Sequence, residues 1–151
     1  MAANADEACR AEAFSGGGTA VISDEELLAR FEDGSLPNGA FHHEQHVRVA
    51  WMFVRRYGMP DALGRFSQAL KRFADAKGVV GLYHETITWA YLLLVAERIA
   101  RGPGESWERF AGDNQDLLTW KPSILDRYYA PGTLRSDLAR RTFVMPDLQT
   151  S

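Results

Sequence analysis

All four histidines in this chain stand in two motifs that open helices, and three of them, His43, His46 and His84, are placed to share a site. The first reads Phe41-His42-His43-Glu44-Gln45-His46-Val47-Arg48-Val49-Ala50-Trp51. The second reads Tyr83-His84-Glu85-Thr86-Ile87-Thr88-Trp89. Helical residues three apart share a face, so His43 and His46 can address one point. His84 can reach that point from a second helix packed against the first. Three imidazoles with a fourth position open suit a divalent transition metal such as Zn, Fe, Ni or Cu. Without a metal, neutral imidazoles around a cavity still serve as acid–base groups near neutral pH. A histidine at a helix start has a plainer use as well, as a cap or as a packed residue bonded to a carbonyl.

Other residues could join such a site. Tyr83 and Glu85 flank His84 and are the catalytic candidates, although Glu85 points about 100° away from its neighbour on a helix. Asp126 is a candidate carboxylate for orienting a histidine. Four tryptophans and five tyrosines could line an aromatic pocket or simply fill a small helical core. The histidine spacing of three differs from that of the zinc-protease signature. No second Glu-x-x-His is present to build a di-iron centre. Glycine-rich phosphate loops, a Gly-x-Ser-x-Gly elbow and a Cys-x-x-Cys pair are also absent, which disfavours nucleotide hydrolysis, serine-hydrolase chemistry and dithiol redox chemistry.

The elements that must position these residues read as helices throughout. Ser23-Asp24-Glu25-Glu26 has the form of a capping box ahead of Leu27, Leu28 and Phe31, with Gly34 as the stop. After a turn-rich connector at 35–40, a second helix is predicted from about His42 to Tyr57. A third starts at Pro60 and ends by Gly78. The most apolar helix runs from about Tyr83 to Arg101, with the composition of a central element covered on several sides. A short helix with Trp107 and Phe110 follows, then another with Ile124, Leu125, Tyr128 and Tyr129. A last amphipathic helix spans about Ser136 to Phe143, with Ser136 as its cap. No stretch alternates with period two. The expected fold is all-α, a compact single-domain bundle of about five to seven helices over 21–151, behind a disordered tail at 1–20.

Composition sets further bounds. The 151 residues suit one domain, and 46% hydrophobic with 25% charged residues is ordinary for a globular protein. A formal net charge of -3 offers no basic surplus for nucleic acid. The longest apolar stretch, 87–96, is far short of the ~20 residues that span a bilayer, so no membrane partner is expected. Cys9 is the single cysteine, which excludes an intramolecular disulfide and a thiolate metal cluster. With no secretory signal in the first residues, the expected compartment is the cytoplasm.

The chain resembles a group of small bacterial all-helical proteins with no established activity. The shared pattern is Phe-x-His-x-x-His with Ala-Trp, then Tyr-His-x-Thr, and a C-terminal Phe-Val-x-Pro-Asp. It is met here by Phe41, His43, His46, Ala50-Trp51, Tyr83-His84-Glu85-Thr86 and Phe143-Val144-Met145-Pro146-Asp147. The resemblance implies that His43 is the motif histidine, ahead of His42. The leading expectation is a metal site at His43, His46 and His84 acting on, or binding, a small-molecule ligand. The alternatives are a non-catalytic ligand- or haem-binding module, and a homodimeric interaction protein whose histidines are structural. Whether the chain is an enzyme stays open at this point.

Overall fold

The computed structural model describes residues 23–37, 42–78, 83–102 and 106–148. The expected tail at 1–20, Cys9 within it, and Phe41 of the first motif lie outside the described residues. So do parts of the connectors at 38–40, 79–81 and 103–104. The described residues form eight α-helices and one 3-10 turn, with no strand among them. In chain order these are α1 (Asp24–Asp33), α2 (His43–Tyr57), α3 (Asp61–Ala76), α4 (Glu85–Arg101), α5 (Trp107–Asp113), α6 (Gln115–Leu118), the 3-10 turn (Ile124–Arg127), α7 (Pro131–Leu134) and α8 (Asp137–Arg141). The all-α reading holds. The count exceeds the expected seven because α6 and α7 are single turns that periodicity does not register.

Local chemistry sets most of the boundaries. The Ser23 hydroxyl accepts from the Glu26 N–H at 3.2 Å, so the cap forms. Only half of the expected box appears, because the Glu26 carboxylate turns to Arg30 at 3.0 Å. Gly34 ends α1 at φ +78°, a left-handed conformation that glycine adopts without Cβ strain. Ser106 and Ser136 cap α5 and α8 through the Arg109 and Ala139 N–H groups. Pro60 sits one residue outside α3 rather than in its first turn. The last helix stops at Arg141, short of Phe143, because the chain from Thr142 is bonded elsewhere.

Two packing zones hold the bundle together. Phe31 of α1 meets Phe53 of α2 and both Phe66 and Phe73 of α3, with ring centroids 5.5–6.0 Å apart. Edge and tilted contacts of this kind add to the burial of large rings. On the other side, α4 packs against α2, α3 and α8. Its Leu92 and Val95 are completely buried, whereas Leu93 is 42% exposed, so the central helix is covered on most sides and not all. Trp51 packs on Trp107 and Phe110, and Trp89 stacks on Phe143. Trp51 and Trp107 are buried in the core, whereas Trp89 is half-buried.

Candidate functional site

The packing of α2 against α4 places both histidine motifs in the same half of the molecule. His43, the first residue of α2, is buried, and its Nε2 lies 2.8 Å from the carbonyl oxygen of Leu117. A carbonyl only accepts, so Nε2 carries the proton and donates it. Leu117 belongs to the single turn α6, whose last carbonyls have no partner within the helix. The ring sits between Tyr91 and Trp120, at centroid distances of 5.0 and 4.9 Å.

His84 repeats this arrangement in the second motif. It is 5% exposed, and its Nε2 donates to the carbonyl of Leu134 at 2.7 Å. Leu134 is the final residue of the single turn α7. The other ring nitrogen, Nδ1, accepts the N–H of Ile87 at 3.1 Å, so His84 also caps α4. Burial holds the imidazole below its usual pKa, although the Leu134 carbonyl favours the charged ring; the positive charge of Arg140 lowers it further. The ring is therefore neutral, with its proton on Nε2. His43 and His84 thus each close the open end of a one-turn helix, an element too short to be stable on its own.

The rest of the second motif grips the C-terminal segment. The buried Thr86 hydroxyl donates to the carbonyl of Thr142 at 2.8 Å and accepts the N–H of Val144 at 3.0 Å. Thr88 donates to the carbonyl of His84 at 2.7 Å. Within Phe143-Val144-Met145-Pro146-Asp147, Val144 accepts the Tyr129 hydroxyl at 2.7 Å. Asp147 accepts from the Ala130 N–H at 3.0 Å and from the Thr133 hydroxyl, and these bonds hold its carboxyl below the usual range. Within the shared pattern, Thr86 is bonded to Val144 across 58 residues, whereas His43 and His84 bond to Leu117 and Leu134, which lie outside it.

This geometry bears on the expected metal site. His46 lies half-buried one turn beyond His43 on α2. Among the described residues, no three His, Cys, Asp or Glu side chains are grouped to hold a metal ion. His84 has no ring lone pair left to offer, because Nε2 bears the donated proton and Nδ1 is engaged by Ile87. The set His43, His46 and His84 therefore does not fit the Zn, Fe, Ni or Cu expected of it. Asp126 is exposed at the surface.

Tyr83 and Glu85 do come together. The Tyr83 hydroxyl donates to Glu85 Oε1 at 2.5 Å, a short charge-assisted bond. Lys71 of α3 reaches the same oxygen at 4.0 Å and lies 5.0 Å from the centre of the Tyr83 ring. Beneath them Ser67, one helical turn before Lys71, is 6% exposed and its hydroxyl has no hydrogen-bond partner. The Tyr83 phenol is pushed well above its ordinary pKa, first by burial and then by the Glu85 carboxylate. The nearby Ser67 and Thr88 hydroxyls act in the opposite direction. Sequence reading missed both Ser67 and Lys71. Their i, i+4 spacing on α3 was the available signal, but nothing local pointed it at Tyr83.

Compared with known proteins, the chain matches no family model, no curated protein and no solved structure.

Proposed function

We propose that the chain is a small-molecule-binding helical protein whose ligand contacts the α3–α4 corner formed by Ser67, Lys71, Tyr83 and Glu85. The observation that carries this reading is the Ser67 hydroxyl, buried beside a bonded Tyr–Glu pair and left without a partner. An unsatisfied buried hydroxyl costs about 1–3 kcal/mol, and buried polar atoms in folded proteins mostly find partners. A ligand group that completes the bond accounts for its retention. In this reading the motif histidines hold the C-terminal half on the bundle, and Tyr83 and Glu85 are the contacting residues.

Ligand-observed NMR against a library of small polar compounds tests the proposal. Binders are expected that lose affinity in Ser67→Ala and Glu85→Gln while the melting temperature stays near that of the wild type. A library without binders, or binders indifferent to both substitutions, would refute it.

A further inference from the structure

The charges at the α3–α4 corner narrow the chemistry of what it takes. This step rests on reading the corner as a ligand site. Two formal charges meet there, the Lys71 ammonium and the Glu85 carboxylate, and they cancel. The carboxylate side chain is only 17% exposed, whereas Lys71 is 51% exposed and free to swing on its long stem. Glu85 Oε1 is already engaged by Tyr83 and Lys71, and neither is bonded to Oε2. The corner therefore offers a carboxylate oxygen that accepts, an ammonium that donates, and a buried hydroxyl able to do either.

A charged ligand would leave an uncompensated charge in this partly dry setting, a costly outcome. An uncharged group with a donor beside an acceptor leaves the balance intact. A carboxylic acid, ionised at neutral pH, meets repulsion from Glu85, and an amine meets repulsion from Lys71. We infer that the corner binds an uncharged donor–acceptor group of the primary carboxamide class, its NH2 donating to Glu85 and its carbonyl accepting from Lys71, with Ser67 completing the contact.

Three probes of nearly equal shape separate the classes: propionamide, propionate and propylammonium. Each is titrated into the 15N-labelled full chain while the amide resonances of Ser67, Lys71, Glu85 and Thr86 are followed. A ligand of this size binds weakly, so saturation belongs in the millimolar range. Propionamide is expected to bind at least about tenfold more tightly than either charged probe, the ratio that ~1.4 kcal/mol supplies. Lys71→Met leaves net negative charge and should transfer preference to propylammonium. Glu85→Gln leaves net positive charge and should transfer it to propionate. Equal or tighter binding of a charged probe by the wild type at these resonances would overturn the carboxamide class while leaving a ligand site in place. If none of the three moves these resonances up to its solubility limit, the inference fails together with the site. Charge-swapped variants that keep the wild-type order overturn the charge-balance argument.

Discussion

Replacing His84 with alanine removes two hydrogen bonds from one position. The Ile87 N–H loses its cap, a loss worth about 1 kcal/mol at a typical helix start. The Leu134 carbonyl at the end of α7 loses its donor, and an unsatisfied buried acceptor costs about 1–3 kcal/mol. The sum is about 2–4 kcal/mol, and at about 2–4 °C per kcal/mol for a chain of this size the melting temperature should fall roughly 5–15 °C. Leu92→Ala supplies the scale, because deleting a fully buried leucine side chain costs about 2–5 kcal/mol. His84→Asn restores a capping oxygen to Ile87 without the reach to Leu134, so it should recover about 1 kcal/mol. The assay is urea and thermal unfolding followed by circular dichroism in EDTA, with hydrogen exchange to locate the change. Amides of 131–141 should exchange faster in His84→Ala, since that segment loses its tie to α4. A His84→Ala protein within about 0.5 kcal/mol of wild type, or one destabilised only when metal is supplied, would refute the reasoning.

Protonation should remove the His84 cap, because a protonated Nδ1 no longer accepts the Ile87 N–H. The folded protein holds the His84 pKa below its usual value near 6.5, so between these two values the unfolded chain binds more protons and stability falls as pH drops. Comparing the melting temperatures of wild type and His84→Asn at pH 7.5 and 5.5 checks this, and the drop should be smaller in the variant. Thr86→Val keeps the shape but strands the Val144 N–H, so a loss of about 1–3 kcal/mol and faster exchange at Val144 are expected; an unchanged urea midpoint would count against the clasp.

Much of the architecture is legible in local chemistry. The serine caps at 23 and 136 and the glycine stop at 34 act within four residues, so spacing alone reveals them. The α4 boundary was read one or two residues early because His84 looks helical by pattern, whereas its ring accepts from Ile87 and makes it the cap. The site was half legible. The sequence pattern drew attention to His43 and His84, but their roles depend on carbonyls 74 and 50 residues away. Backbone acceptors leave no residue signature, so two imidazoles that grip carbonyls look like metal ligands on paper. Tyr83 and Glu85 were visible as neighbours of His84. Ser67 and Lys71 became partners of that pair only through the packing of α3 on α4.

His43 and His84 are carbonyl-bound ties, and their ring protons report it directly. Long-range 1H–15N correlation spectra of the histidine rings at pH 7.5, recorded with EDTA and again with an equivalent of zinc, identify the proton-bearing nitrogen. The account predicts the Nε2–H form for both His43 and His84, unchanged by zinc. An Nδ1–H form at either residue, or concerted zinc-dependent shifts at His43, His46 and His84, would contradict it.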